Sequence, residues 1–269
     1  MPREFNKEFA IGVFDSGLGG LTVVKELMTE VPNEDIVYFG DTARVPYGTK
    51  SKESIIRFSH ENTQILLKHK VKMIVVACNS SSSYALSLLR ETFDIPIVGV
   101  IEPGAKKAVM VTQNKRIGVI ATQATINSEK YVKTIKRLDE SMKVSAKACP
   151  LFVPLVEEGW FDKRYTLDIA KEYLADLKKT NIDTLILGCT HYPLLKSILS
   201  KTMGRKVTLV DSAQEVAQDV NRVLKALGLN RENKRKPKYK FLVSDKPQEF
   251  KKIARIFLGR EIVVAQESI

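Results

Sequence analysis

Two of the three cysteines in the sequence, Cys78 and Cys189, stand in matching contexts. An apolar run and a small residue precede each cysteine, and two polar residues follow it. Residues 71–80 read VKMIVVACNS, and residues 182–191 read IDTLILGCTH. A free cysteine after a buried strand is often only a small hydrophobic residue, but a matched pair favours chemistry. Cys149 lacks this context and is predicted to be structural.

Two opposed thiols suit the inversion of an α-carbon. Inversion needs a base that removes the proton from one face of the carbon and an acid that protonates the other face. A thiol can take either role, because its ordinary pKa near 8.5 is readily lowered by a cation or a hydrogen bond. The pair therefore predicts racemisation, with one thiol on each side of a flat carbanion.

Polar residues beside the cysteines are candidates for binding and for proton control. His191 is two positions from Cys189, where an imidazole can raise the thiolate fraction or protonate the cysteine. Glu157 is predicted to lie in a strand-to-helix loop, where it either tunes His191 or is an ordinary solvated acid. The residues best placed to bind a zwitterion are Asn79, Ser80 and Thr190.

A glycine-rich loop, DSGLGG at residues 15–20, follows a predicted strand and opens a predicted helix. Backbone N–H groups in such a loop can hold a carboxylate. Asp15 either binds an ammonium group or orients a thiol, or it is a turn and N-cap residue. The loop is not a dinucleotide fingerprint, because the third glycine of G-x-G-x-x-G would fall at Thr22.

The elements that must position these residues alternate between apolar strand-like runs and amphipathic helical segments. This alternation predicts an α/β fold with mainly parallel sheet, in which ligands bind beyond the carboxyl ends of the strands. The predicted strands are residues 10–14, 35–39, 73–77, 97–100, 116–120, 184–187 and 207–210. The predicted helices are residues 21–30, 51–68, 126–139, 167–179 and 213–227.

An internal repeat predicts how the strands are arranged. Residues 11–16 (IGVFDS) are echoed by residues 117–122 (IGVIAT), and the two cysteine contexts repeat later in each half. We therefore expect two similar lobes related by a pseudo-twofold axis, each with its sheet flanked by helices. Each lobe would place one cysteine at the end of a strand, and the active site would lie in the cleft between the lobes.

Composition limits the class of protein. The 44% hydrophobic and 28% charged residues are ordinary for a globular protein. No apolar stretch approaches the roughly 18 residues that cross a bilayer, and an odd number of widely spaced cysteines indicates free thiols in a reducing compartment. We expect a cytoplasmic protein that does not associate with membranes.

The net charge of +12 leaves nucleic-acid binding as an alternative function. The basic residues are scattered, except in a predicted exposed loop at residues 234–240, and no nucleic-acid reading motif is present. We expect nucleic-acid binding as a side activity at most. A zinc site is disfavoured, because no C-x-x-C pair or second histidine-rich segment accompanies Cys189 and His191. A P-loop is also disfavoured, because residues 43–51 do not have the spacing of glycine and lysine that it requires.

Several segments together resemble bacterial glutamate racemases, and the likeness runs along most of the chain. They are residues 12–20, 41–48, 77–79, 99–105 and 187–195. The resemblance implies a cofactor-independent enzyme without a metal, which supplies D-glutamate for peptidoglycan synthesis and forms a homodimer. It also implies that the first lobe is discontinuous, with residues 1–97 plus 207–269, and that the second lobe comprises residues 98–206.

The resemblance also assigns roles to residues. Cys78 would act on the D-enantiomer and Cys189 on the L-enantiomer, with help from Asp15, His191 and Glu157. The substrate would be bound by Asp15, Ser16, Tyr47, Gly48, Asn79, Ser80, Thr190 and His191. Ser80 departs from the family, which usually has threonine there, so a methyl contact is lost and weaker binding is expected at that point.

The nearest alternative is an aspartate or hydantoin racemase with the same pair of thiols. Glutamate differs from aspartate by one methylene, and a pocket distinguishes one methylene by only about 1–3 kcal/mol. The sequence leaves that choice open.

Overall fold

The computed structural model describes residues 6–233 and 235–269. The strands within these residues are β1 (Ala10–Asp15), β2 (Ile36–Gly40), β3 (Val71–Val76), β4 (Ile97–Gly99), β5 (Arg116–Ala121), β6 (Lys143–Ala148), β7 (Thr184–Gly188), β8 (Thr208–Asp211), β9 (Tyr239–Val243) and β10 (Val264–Gln266). They form a six-stranded sheet in the order β10-β9-β2-β1-β3-β4 and a four-stranded sheet in the order β6-β5-β7-β8. Neighbouring strands in both sheets run parallel.

Helices connect successive strands, as parallel pairing requires. They are α1 (Leu21–Glu30), α2 (Lys52–Lys68), α3 (Asn79–Tyr84), α4 (Leu86–Thr92), α5 (Ile101–Val111), α6 (Gln123–Asn127), α7 (Lys130–Leu138), α8 (Phe152–Glu157), α9 (Arg164–Lys179), α10 (Lys196–Met203), α11 (Ser212–Ala226) and α12 (Pro247–Leu258). Short 3-10 turns cover Tyr47–Thr49 and Tyr192–Leu195. Within the described residues, no helix combines the length and apolarity needed to cross a membrane.

The two sheets confirm the predicted α/β class and two-lobe architecture. We call the part built on the six-stranded sheet the first lobe and the part built on the four-stranded sheet the second lobe. The order β2-β1-β3-β4 in one sheet is matched by β6-β5-β7-β8 in the other. Cys78 follows β3 and Cys189 follows β7, so the two cysteines occupy equivalent places in the two lobes.

The core explains why the central strands read as nearly continuous apolar runs. Every residue of β2, β3, β4 and β7 is buried, because helices cover both faces of a parallel sheet. One apolar cluster includes Val13 of the first sheet, Val119 of the second sheet, and Leu27 and Val220 from helices. The lobes therefore share a packed interior, which holds the carboxyl ends of their strands toward a common cleft.

The strand boundaries differ from the expected lobe division by a few residues. β8 pairs with β7, so residues 208–211 join the second sheet although the boundary at 207 would give them to the first lobe. β4 lies in the first sheet and extends past residue 97. β9 and β10 return to the first sheet from late in the chain. The assignment of whole lobes to residue ranges stays a prediction.

Several local predictions are wrong. The helix predicted over residues 126–139 is two helices, α6 and α7, because Glu129 adopts a left-handed conformation with φ of 55°. β6, β9 and β10 were not predicted. The basic loop predicted over residues 234–240 ends earlier, since Tyr239 and Lys240 begin β9, and Lys234 lies outside the described residues.

Candidate active site

The carboxyl ends of four strands meet at one buried cavity of about 20 Å³. Asp15 ends β1, Cys78 follows β3, Thr122 follows β5 and Cys189 follows β7. The predicted site residues that line the cavity are Ser16, Tyr47, Gly48, Cys78, Asn79, Ser80, Cys189, Thr190 and His191. The structure therefore brings both cysteines, one from each lobe, to the same enclosed space.

Two predicted residues lie just behind the cavity wall. Asp15 is fully buried, and its carboxylate accepts hydrogen bonds from the Gly17 N–H at 3.1 Å and from the Thr190 hydroxyl at 3.4 Å. Glu157 accepts from His191, with Oε1 and Nε2 3.1 Å apart. Glu157 is the last residue of α8, so the prediction that it lies in a strand-to-helix loop is wrong.

Cys78 is held in its neutral form. Its side chain is buried, and the pKa of its thiol is raised to about 12 by that burial and by repulsion from the nearby Asp15 carboxylate. The neighbouring Ser81 and Ser16 lower the pKa of this thiol only in part. Burial also raises the pKa of Asp15, more than the positive charge of His191 and the surrounding backbone N–H groups lower it. Cys78 and Asp15 thus share a region in which one negative charge is preferred to two.

Cys189 lies in a different electrostatic setting. Its Sγ is 3.8 Å from Nδ1 of His191, whose other ring nitrogen bonds Glu157. Burial by itself would lower the pKa of His191, but its bonds to Cys189 and Glu157 outweigh burial and raise it to about 10. The imidazole is therefore charged at neutral pH and places a positive charge beside the Cys189 sulfur.

Replacing Glu157 by Gln is expected to lower the pKa of His191 and to reduce stability. The pKa of His191 is raised on folding, so the charged ring stabilises the protein fully below pH 6.5, its ordinary pKa. That stabilisation is lost as the pH rises through about 10. We expect Glu157→Gln to lower the free energy of unfolding by roughly 1–3 kcal/mol near neutral pH, with the difference shrinking toward high pH.

Denaturant unfolding from pH 6 to pH 10, with NMR titration of the His191 ring, measures this effect. Glu158→Gln is the matched control, because Glu158 is the exposed residue next in the chain. If the free energy of unfolding depends on pH in the same way in Glu157→Gln and Glu158→Gln, Glu157 does not control the charge of His191.

Asn79 offers the cavity an unused hydrogen-bond donor. Its Oδ1 accepts from the Tyr131 hydroxyl at 2.7 Å, which ties α3 of the first lobe to α7 of the second lobe. Its Nδ2 is buried and has no hydrogen-bond partner among residues 6–233 and 235–269. Buried donors are normally paired, so this amide group is suited to a ligand oxygen such as that of a carboxylate.

Two threonines whose hydroxyl groups contact Ser80 were missed by sequence reasoning. Ser80 Oγ is 3.0 Å from Thr122 Oγ1 and 3.4 Å from Thr125 Oγ1, and the two threonine oxygens are 3.1 Å apart. Thr122 has the position in the second repeat that Ser16 has in the first, so the repeat was a signal that could have found it. The Ser80 hydroxyl thereby joins the two lobes.

Two glycines let the lobes approach each other closely. A Cβ on Gly48 would lie 2.5 Å from the Cβ of Thr122, which belongs to the second lobe. A Cβ on Gly19 would lie 2.6 Å from Nδ1 of His191 and closer still to the Thr190 hydroxyl. Real side chains do not tolerate such distances, so any other residue at either position would require the facing side chains or the lobes themselves to shift.

The cavity is smaller than an amino acid. A volume of about 20 Å³ holds about one water molecule. A ligand of amino-acid size must therefore widen the cleft, and the contacts that cross it at Gly19, Gly48, Ser80 and Asn79 must loosen to admit the ligand. The described residues contain no group of three or more His, Cys, Asp or Glu side chains placed to hold a metal ion.

Comparison with known proteins assigns the architecture to a family. Residues 11–220 match the family model described as Asp/Glu/Hydantoin racemase. The chain belongs to this racemase family. A relative named glutamate racemase, from Geobacter metallireducens, is 50% identical to it over 94% of each chain.

Solved racemase structures share the whole fold. A glutamate racemase isoform from Bacillus anthracis superposes with a TM-score of 0.95 at 41% identity, covering 98% of this chain and 99% of that one. The glutamate racemase from Francisella tularensis, solved in complex with D-glutamate, gives a TM-score of 0.91 at 39% identity and covers 98% of both chains. The racemase family model ends at residue 220, so β9, β10 and α12 lie beyond the matched residues.

Proposed function

We propose that this protein is a glutamate racemase, which interconverts L-glutamate and D-glutamate without a cofactor and supplies D-glutamate for peptidoglycan synthesis. The observation that carries the proposal is that Cys78 and Cys189, from equivalent strands of the two lobes, line one cavity. Family membership supports racemisation. The names of similar proteins and the D-glutamate in the Francisella tularensis structure support the choice of substrate.

In the conversion of L-glutamate, Cys189 is the base. With the charged His191 ring 3.8 Å from its sulfur, Cys189 takes the α-proton as a thiolate and forms an S–H bond. The electron pair of the broken C–H bond is delocalised into the α-carboxylate. Cys78 then gives its proton to the opposite face, a role for which its raised pKa keeps it protonated.

In the reverse direction Cys78 must first lose its proton. Asp15 is the carboxylate that acts on it electrostatically, and its own raised pKa makes it a stronger base than an exposed aspartate. We assign Asp15 to receive the Cys78 proton or to attract the ammonium group of the substrate, because both roles need a buried negative charge at this place. Glu157 acts through His191.

Substrate oxygens are assigned to donors that the protein does not use itself. Nδ2 of Asn79 is such a donor. The hydroxyls of Ser16, Ser80 and Thr190, with the backbone at Tyr47 and Gly48, complete the wall of the cavity. Since the Ser80 hydroxyl already contacts Thr122 and Thr125, these two threonines join the proposed binding set.

We further propose a cytoplasmic homodimer. Free thiols at Cys78, Cys149 and Cys189 suit a reducing compartment, and the dimer is proposed from the resemblance to glutamate racemases. The division into residues 1–97 plus 207–269 and residues 98–206 is also kept as a proposal. The return of β9 and β10 to the first sheet supports this division. Since β8 pairs with β7, we propose that residues 208–211 belong to the second lobe.

Incubation of L-glutamate with the protein in D₂O tests the function. We expect D-glutamate to form with deuterium at its α-carbon, without added pyridoxal phosphate or metal ion, as followed by NMR and circular dichroism. L-aspartate is expected to react with a kcat/KM at least about tenfold lower, which is the discrimination that one methylene affords. A preference for aspartate or a hydantoin would support the alternative racemases, and a failure to racemise any of them would refute the proposal.

A further inference from the structure

The hydroxyl of Tyr47 is occupied by the protein itself. It donates a hydrogen bond to the Asp41 carboxylate and accepts one from Nδ2 of Asn62 at 3.0 Å. Neither Asp41 nor Asn62 is among the residues that line the cavity. A phenol has one donor hydrogen, so the Tyr47 hydroxyl has none left to offer a ligand. Tyr47 and Gly48 therefore line the cavity, while the Tyr47 hydroxyl anchors the turn to Asp41 and Asn62.

Asp41 connects this anchor to the rest of the first lobe. Its carboxylate is fully buried and accepts hydrogen bonds from Nε of Arg44 at 2.6 Å and from the Ser244 hydroxyl at 3.1 Å, in addition to Tyr47. Its backbone N–H donates to the carbonyl of Asp15 at 3.0 Å. Through its carboxylate and its backbone N–H, Asp41 thus links the loop before the turn, the turn itself and the end of β1.

Asp41 and its neighbours are also held by Ser244 and Asp245, which follow directly after β9. Ser244 Oγ accepts from the Ala43 N–H at 2.8 Å while its hydroxyl donates to Asp41. The Thr42 hydroxyl donates to the carbonyl of Asp245 at 2.5 Å and accepts from its N–H at 2.9 Å. These contacts join residues about 200 positions apart in the chain, and Ser244 and Asp245 lie beyond the residues matched by the family model.

We propose that Asp41 and Ser244 are positioning residues, which fix the Tyr47–Thr49 turn against the second lobe and thereby set the affinity for substrate. This inference rests on the proposed racemase function. Gly48 has no free space next to Thr122, so a displaced turn changes the wall of a cavity that is already small. The side chains of Asp41 and Ser244 bond Arg44, Tyr47 and Ala43, and they contact neither the two thiols nor the Asp15 carboxylate. The network is therefore expected to act on binding more than on proton transfer.

Steady-state kinetics of Ser244→Ala and Asp41→Asn test the proposal. We expect KM to rise about tenfold for Ser244→Ala with both glutamate enantiomers, and further for Asp41→Asn, because each loses a buried hydrogen bond that holds the turn. We expect kcat to change less than about threefold. Ser141→Ala is the matched control, since Ser141 Oγ also donates to an aspartate, Asp139, but is exposed on the second lobe. A lower melting temperature with unchanged KM would overturn the proposal.

A double-mutant cycle separates anchoring from direct contact. Because Tyr47 and Ser244 act through the same carboxylate, Tyr47→Phe combined with Ser244→Ala should raise KM by less than the product of the single effects. If the Tyr47 hydroxyl bound substrate directly, the two effects would multiply and the proposal would be wrong. Should Asp41→Asn fail to fold, these two substitutions still decide the question.

Hydrogen–deuterium exchange of the ligand-free protein gives a readout that does not depend on activity. Ser244→Ala is expected to speed amide exchange in residues 42–49 and to leave β5 of the second lobe unchanged. If the wild-type protein does not racemise glutamate, the proposed function fails but the exchange result still tests the positioning network. If racemisation is normal while exchange and KM are unaltered in Ser244→Ala, only the positioning proposal fails.

Discussion

Cys78→Ala and Cys189→Ala are each expected to lower kcat/KM for racemisation in both directions by at least about 10³-fold. Proton transfer by one positioned acid or base contributes about 10²–10⁴-fold, and every turnover uses both thiols in turn. Circular dichroism of L-glutamate and D-glutamate solutions follows the loss. The variants should retain the fold, since each loses only a small buried side chain.

Cys149→Ala is the control for this experiment. Cys149 is fully buried, its thiol pKa is raised to about 12 by burial, and it is not among the residues that line the cavity. We expect the kcat/KM of the Cys149→Ala protein to stay within about threefold of the wild-type value. Racemisation by the Cys78→Ala protein at a comparable rate would refute the two-thiol mechanism, even if the protein proved to be a racemase.

Gly48→Ala and Gly19→Ala are expected to lower kcat/KM at least about 100-fold, because a displacement of about 1 Å between reacting groups can cost that much. The added Cβ of Gly48→Ala would meet Thr122 across the cleft, and that of Gly19→Ala would meet Thr190 and His191. Both substitutions therefore hold the lobes apart and keep the two sulfur atoms from their working separation. Initial rates with each enantiomer, together with far-UV circular dichroism to confirm folding, measure the effect.

Gly12→Ala provides a comparison within one lobe. Its Cβ would lie 3.1 Å from Cγ1 of Val71 inside the first lobe, where flexible side chains can adjust, and it would not reach the second lobe. A lower melting temperature with nearly normal kinetics is expected. If Gly48→Ala and Gly19→Ala were as active as Gly12→Ala, the close approach of the two lobes at these glycines would not be needed for proton transfer.

The strands and lobes that could be predicted from the sequence are those marked by a local pattern of apolar residues. The apolar runs of β1, β3, β5 and β7 are buried on both faces and so stand out in the sequence, and their repetition indicated two similar lobes and a shared cavity. β6 did not stand out, because it is a sheet edge with partly exposed polar residues. The break at Glu129 depends on a single backbone conformation that few residue types indicate.

Site residues were predictable where they lie next to the cysteines or within motifs. Thr125 was missed because its part in the site depends on how closely the second lobe approaches Ser80. Asp41 was singled out only as part of a motif, without a role of its own. Its hydrogen bond from Ser244 depends on the pairing of β2 with β9, which no local pattern indicates. The paired state of His191 and Glu157 depends likewise on α8 packing beside the turn after β7.

The place of β9 beside β2 has a consequence for biosynthesis. While the chain is being translated, the strands of the second sheet emerge before the two strands at residues 239–266 that complete the first. Until those strands are released, β2 presents an unpaired edge, which is a template for association with other chains. The nascent polypeptide therefore carries an association-prone edge in the first lobe until the strands at residues 239–266 have been made.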